Sequence, residues 1–536
     1  MADFEASGCR GDLVYQTLAD LVDHAAQAHG DAVFIEADSV RIRFADLPEL
    51  VDRAATALMA LGVAQGDRVA LWAPNHPNWV LVALGIQRVG ACLVPINTRY
   101  RGDEAAYILE RSGARLLVTI EGFLDTDYLD LLARAQSQPQ LDHVVLLDGL
   151  DERAVSWQRF VALGAEVAPA ELAARRRQVR AHDLCDLLFT SGTTGAPKGV
   201  PSTHAQTLRV FRDWAEVVGL RAGDRYLVAM PFFHSFGYKA GWLACLMTGA
   251  TVLPEPVFDP ERLLRRVGRD RVSVLPGPPA LYQTILARQD LDAYDRSSLR
   301  LAVTGAAVIP VTLIEQMRHR LGFETVITGY GLTETTGVVT MCRHDDDPET
   351  IATTSGRSIP DVEVKIIRSD GLQAKAGEAG EVMVRGYNVM SGYWRDDVAT
   401  AEAIESDGFL HTGDIGMLDA RGYLQITDRK KDMVIVGGFN VYPAEVEQVL
   451  LAHQAVAQAA VVGVPDQRLG EVCVAYLVAK QGAVAEEEGL MSLCRERLAN
   501  FKVPRAVRWV DSLPMNASGK VLKYKLKERA HDATTS

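Results

Sequence analysis

GDRVALWAPNH (Gly66 to His76), leading through a helical stretch into GACLVP (Gly90 to Pro95), sets the architecture of the chain. Arg68 to Trp72 is a short apolar run, Ala73-Pro74-Asn75 breaks it, and Trp79 to Arg88 carries apolar residues at helical spacing before Ala91 to Pro95 turns apolar again. That is a strand, a helix and a second strand, a βαβ unit. A further helix, Asp103 to Arg111, and strand, Arg115 to Thr119, follow through short connections, so a parallel, doubly wound sheet is the economical topology. The same grammar returns in GDRYLVAMPFFH (Gly223 to His234) followed by GATVLP (Gly249 to Pro254). The expectation is α/β, with two similar doubly wound subdomains.

Past Ser355 the texture changes. Val362 to Ile367, Gly380 to Val384 and Tyr423 to Ile426 are short β-rich runs between Gly and Asp turns, which predicts a smaller β-rich layer on the large domain. The charged run Arg429-Lys430-Lys431-Asp432 then precedes a strand, Met433 to Val436, a Gly437-Gly438 loop and a helix started by Pro443. This places a large N-terminal domain at residues 1–430 and a small α+β C-terminal domain at 431–536.

Composition narrows the function classes. Of 536 residues 48% are hydrophobic and 23% charged, a globular balance with material for a large core. The 56 Lys and Arg against 69 Asp and Glu leave a net charge of −13, which disfavours nonspecific nucleic-acid binding. An anionic ligand must therefore be met by local donors. Seven scattered cysteines, never spaced CxxC, suggest neither a disulfide framework nor a zinc site and fit a reducing cytoplasm. MADFEASGCRGD is acidic and polar where a signal peptide would be basic and then apolar, and no run of about 18 apolar residues offers a transmembrane segment. Whether the chain forms a homodimer is left open.

The sharpest chemical segment is TSGTTGAPKG, Thr190 to Gly199, entered from the apolar Leu187-Leu188-Phe189 and followed by a helix from about Thr203. Three glycines (Gly192, Gly195, Gly199) let backbone N–H groups converge. Thr190, Ser191, Thr193 and Thr194 add hydroxyl donors and Lys198 a point charge, which together suit a polyphosphate. The spacing is not that of the common P-loop.

This segment resembles the signature of the AMP-forming adenylate-forming ligases, the acyl-CoA synthetases among them. Four further segments agree in the family's order: Gly329-Tyr330-Gly331-Leu332-Thr333-Glu334, His411-Thr412-Gly413-Asp414, Asp428 to Asp432 with Gly437 to Pro443, and Pro514 to Lys520. The resemblance implies a two-step ligase using ATP, Mg²⁺ and coenzyme A. A carboxylate attacks the α-phosphate to give acyl-AMP and pyrophosphate, and a thiol then displaces AMP.

It also implies roles. Thr190, Ser191, Gly192, Thr193, Thr194, Gly195 and Lys198 cradle the leaving pyrophosphate, and Lys520 offsets charge at the α-phosphate. Glu334 is the magnesium ligand, a hard oxygen for a hard cation. Asp414 accepts from the ribose hydroxyls, with Arg429 beside it. Gly305, Ala306 and Ala307, with Gly329, Tyr330, Gly331 and Thr333, line the adenine and acyl sites. Lys431 is the hinge about which a mobile C-terminal domain rotates, and Gly437, Gly438 and Phe439 line the path of the coenzyme A thiol. His234 is a gate beside the substrate carboxylate.

The chain has Phe233-His234 where peptide-synthetase adenylation domains usually carry an aspartate, which favours free coenzyme A over a tethered carrier. Segments such as Asn97 to Gly102 and Asp345 to Ile351 are similar to actinobacterial ligases that activate the bicyclic indanedione propanoate of sterol-ring degradation. A fused-ring acid needs a wide, short apolar pocket. Gly305, Gly329 and Gly337 are expected to give it width, and Tyr238 and Trp242 to close its depth. Tyr238 or Lys239 would meet a ring ketone. The alternatives are a medium- or long-chain fatty acyl-CoA ligase and a stand-alone adenylation enzyme loading a carrier protein.

Overall fold

The computed structural model describes residues 10–532 except 39, 192–195, 306–308, 310, 369, 430–433, 442, 481–485, 515–520 and 522. Within these the first sheet has seven strands, ordered Val155–Ser156, His143–Leu146, Leu116–Thr119, Arg68–Trp72, Cys92–Pro95, Leu184–Ser191 and Pro197–Thr203. All neighbours are parallel except the last pair. The second sheet joins Arg225–Val228 and Thr251–Pro254 in parallel, and bridges at Val274 connect it to Leu301–Gly305 and Thr325–Tyr330.

The repeat seen in the sequence is a repeat in hydrogen bonding. Gly66 N–H donates to the Gly90 carbonyl at 2.8 Å and Cys92 N–H to Asp67 at 2.7 Å. In the second unit Gly223 N–H donates to Gly249 at 3.3 Å and Thr251 N–H to Asp224 at 2.7 Å. Gly66, Gly90, Gly223 and Gly249 all have φ between 74° and 84°, a backbone that only glycine adopts without strain. Between the units the helix Pro77–Arg88 is buried along nearly its whole length. Its Trp79 meets Phe232, Tyr238 and Trp242 at centroid separations of 5.6, 6.0 and 6.1 Å.

The β-rich layer is an antiparallel sheet of Val362–Ile367, Gly380–Gly386, Leu410–Leu418 and Leu424–Arg429. The chain leaves it at Arg429 and enters a separate sheet at Val434, built from Val434–Val436, Phe439–Val441, Val456–Asp466, Gly470–Ala479 and Ala506–Trp509. That small domain has a core on each face. Val446, Leu450, Leu490 and Cys494 pack on one side, and Leu526 and Ala530 on the other.

One local reading needs correction. TSGTTGAPKG does not lead directly into a helix. Pro197–Thr203 is a strand that folds back on Leu184–Ser191, and only then does Thr203 cap the helix His204–Val218. Its central residues are buried, which an internal Pro201 disguised. The hairpin Val33–Ala37 and Val40–Arg43 extends the second sheet from the far N-terminal side. Six cysteines are free and buried, Cys9 lies outside the described residues, and among those described no helix is long and apolar enough to cross a membrane.

Candidate active site

The hairpin sets Thr190 opposite Lys198 and Ser191 opposite Pro197. Gly192, Thr193, Thr194 and Gly195 at its tip lie outside the described residues, as does the Ser191 side chain. Thr190 donates its hydroxyl to Glu334 Oε1 at 3.5 Å, and Tyr393 donates to the same oxygen at 3.0 Å. Lys198 Nζ stands 4.8 Å from the centroid of the Tyr393 ring. Glu334 sits on the turn Thr333–Thr335, just past the strand Thr325–Tyr330, and Met390 N–H holds its carbonyl at 2.9 Å. Protein closes around the carboxyl while leaving it open to the cleft. Burial raises its pKa, against the pull of its own backbone, the two hydroxyls and the Lys198 charge.

Asp414 lies within Leu410–Leu418, nearly buried, with the backbone of Arg429 paired opposite. Tyr330 donates its hydroxyl to Asp414 Oδ2 at 2.7 Å, so two residues singled out separately form one unit. The Arg429 side chain is outside the described residues, as are Ala306, Ala307, Lys431 and Lys520. Gly305 and Gly329 face each other across parallel strands. A Cβ at Gly305 would stand 3.1 Å from the Gly329 carbonyl, and one at Gly331 only 2.2 Å from that of Gly337, so close backbone approach excludes a side chain at Gly331.

His234 caps the short turn Ser235–Gly237, its Nδ1 accepting from Phe236 N–H at 3.2 Å. The ring opens to the cleft, yet crowding by protein lowers its pKa, so it is neutral at pH 7 with any proton on Nε2. Asn75 holds this segment in place. Its amide donates to the carbonyls of Val228, Met230 and Glu255, each at 3.0 Å, and its Oδ1 accepts from Phe232 N–H at 2.7 Å.

Tyr238 is corrected from an acyl-contacting residue to a core residue. It is fully buried, stacked on Trp242 at 4.9 Å, and its hydroxyl accepts from Gln87 Nε2 at 2.6 Å. Lys239 is 1% exposed and held by Ser202 Oγ at 2.9 Å and Asp186 Oδ2 at 3.0 Å, so both residues lie in the core and not on an open pocket wall. Tyr393 and Asn75 were missed, since a lone aromatic and a lone amide between elements carry no pattern.

Gly437 and Gly438 form a turn with φ of 57° and 84°, left-handed at both positions. A Cβ at Gly438 would lie 3.5 Å from Pro278 Cβ, which places the turn against the large domain next to the strand Leu301–Gly305. Phe439 stacks on Phe501 at 4.6 Å. A cavity of about 600 Å³ lined by Asp38, Glu261, Arg262, Arg265 and Arg269 contains none of these residues.

The arrangement is a Thr- and Gly-rich hairpin, the Glu334 carboxyl and a part-buried tyrosine–aspartate pair on the large domain, with a glycine turn of the small domain docked at its edge. Residues 22–394 match the AMP-binding enzyme family, and residues 445–520 its C-terminal domain. A (7a-methyl-1,5-dioxo-octahydro-1H-inden-4-yl)propanoyl:CoA ligase from Rhodococcus jostii is 49% identical, over 96% of this chain and 98% of that protein. One of the same name from Mycobacterium tuberculosis is also 49% identical, over 96% and 99%. Among solved structures, the amide bond synthetase McbA from Marinactinospora thermotolerans superposes with a TM-score of 0.83 at 30% identity, covering 96% of this chain and 99% of that one. The o-succinylbenzoate CoA synthetase from Bacillus subtilis gives 0.80 at 30% identity, over 95% and 98%. A match across both parts of the chain, with relatives of near-equal length, means that it belongs to the AMP-binding enzyme family, a large N-terminal domain carrying a small C-terminal one.

Proposed function

We propose that the chain is an acid–thiol ligase that converts a bulky alicyclic, steroid-derived propanoate into its acyl-AMP and then its coenzyme A thioester. The observation that carries the chemistry is the convergence of Thr190, Tyr393 and Lys198 on Glu334 beside the Tyr330–Asp414 pair. The acid is taken from the two ligases of 49% identity, whose names specify a methyl-dioxo-octahydroindenyl propanoyl group.

The first step brings an anionic carboxylate to a polyanion, so this chain must supply positive charge and orientation. Lys198 and the hairpin backbone hold the phosphates being released, and Lys520 meets the charge that develops at the α-phosphate. Neutral His234 lets the carboxylate approach without removing a proton, since the acid is already ionised near pH 7. A magnesium ion fits Glu334. It is a single hard carboxylate among hydroxyls, the donor type such a cation would take. When bound, the ion neutralises phosphate charge. The second step belongs to Gly437 and Gly438, whose bare backbone leaves a narrow path for the thiol beside Phe439 after rotation about Lys431. Buried, unpaired cysteines suit a cytoplasmic setting.

Asp414→Ala is expected to raise KM for ATP by about 10- to 100-fold, the loss of a charged hydrogen-bond acceptor. Initial-rate kinetics against ATP check it, and an unchanged KM removes Asp414 from the ribose. The substrate is tested by direct competition. In one reaction containing a fused-ring propanoate and octanoate, kcat/KM is expected to favour the ring acid by about tenfold or more, the difference pocket shape supplies. A preference for octanoate would move the protein to the medium-chain acyl-CoA ligases, to which it is also related at 32–33% identity.

A further inference from the structure

Lys502 lies in the turn Asn500–Lys502 of the small domain, 1% exposed, and its ammonium is shared between the two domains. It donates to Glu445 Oε1 at 2.6 Å within its own domain and to Glu104 Oε1 at 2.8 Å across the junction. Glu104 belongs to the large-domain helix Gly102–Ser112, and its other oxygen accepts from Arg101 N–H at 2.9 Å. The Tyr100 ring lies 4.3 Å from the ammonium. One side chain along, Phe501 stacks on Phe439, which adjoins the Gly437–Gly438 turn resting on Pro278. A continuous path of contact therefore runs from Glu104 to the turn that faces the large domain.

Such a triad is costly to bury and costly to break. Burial pushes the Glu104 carboxyl up to about 7, with Lys502 opposing, so Glu104 depends on Lys502 for its charge. Removing Lys502 leaves Glu104 and Glu445 without their shared cation, and removing Glu104 leaves Lys502 bound to Glu445 alone, whereas parting the domains returns Glu104 to water. The pair thus favours one domain orientation and contributes nothing to the other.

We propose that Lys502 and Glu104 form an interdomain latch that holds the small domain with Gly437, Gly438 and Phe439 against the large domain, and so act as positioning residues for thioester formation. This rests on the two-step ligase reading. The latch acts on the second half-reaction and leaves the first untouched, because adenylation uses the orientation in which it is open.

Three measurements test it. Glu104→Gln and Lys502→Ala are expected to leave acid-dependent pyrophosphate exchange within about twofold of the parent. Both should lower thioester formation from preformed acyl-AMP and coenzyme A, by tenfold or more for Lys502→Ala. The conservative change Glu104→Asp, which keeps a carboxylate opposite Lys502, should retain more of the thioester rate than Glu104→Gln. An unaltered thioester rate in Glu104→Gln, or equal loss in both half-reactions, overturns the latch. A readout free of catalysis separates it from the ligase reading: spin labels at the exposed Glu110 and Glu496 should give one narrow distance distribution that broadens in Glu104→Gln. An unchanged distribution overturns the latch even in an active enzyme, and a narrow distribution that broadens upholds it even in a protein that releases no pyrophosphate.

Discussion

Lys520→Ala is expected to lower acyl-AMP formation by on the order of 10²- to 10³-fold while leaving thioester formation from preformed acyl-AMP within a few-fold of the parent. The asymmetry follows from where charge develops. Adenylation builds negative charge between the attacking carboxylate and the α-phosphate, where one ammonium in a dry site is worth several kcal/mol. Thioester formation releases AMP from a neutral carbonyl and needs the glycine turn instead. Lys520 is the last residue matched to the family's C-terminal domain and falls, in sequence, between the strand Ala506–Trp509 and the helix Lys523–Asp532. Pyrophosphate exchange and single-turnover thioester formation, measured separately, give the two numbers. Equal losses in both half-reactions would contradict a role confined to the first step.

The parts of the fold legible in the sequence were those where one local rule acts alone. Gly66 and Gly223 announce the repeated unit because a left-handed turn accepts little else, and the apolar runs after them are short enough to be strands. Tyr238 and Trp242 show where pattern fails. Aromatics four residues apart on a helix read equally as a pocket wall or as core, and here they stack on each other beneath Trp79. The site was legible as a set of motifs, but its joining bonds were not. Tyr393 reaches Glu334 from 59 residues away, Asp414 meets Tyr330 across 84, and Lys502 finds Glu104 across 398. No local rule addresses pairs at such separations, and of the three only Lys502–Glu104 crosses between the two domains.

Glu334→Gln isolates the charge of the cleft carboxylate from its shape, and adenylation is expected to fall by on the order of 10²-fold with the thioester step spared. Glutamine keeps an oxygen to accept from Tyr393 and Thr190, so the turn Thr333–Thr335 retains its contacts. Stability should not fall. Burial holds the native carboxyl above its ordinary pKa, so the native state binds more protons than the unfolded one, and ionised Glu334 destabilises the fold as pH rises above the ordinary glutamate range. The substitution removes that cost, and the melting temperature at neutral pH is expected to hold or rise. The same shift predicts the acid limb of the parent's adenylation profile. Activity requiring the carboxylate declines as pH is lowered through the raised value, earlier than an exposed glutamate would allow. Magnesium competes with the proton for the same oxygens, so raising its concentration should move the limb to lower pH. In Glu334→Gln that magnesium-dependent limb should vanish. A limb that ignores magnesium in the parent and persists in the variant would belong to another group and leave Glu334 a structural acceptor for Tyr393.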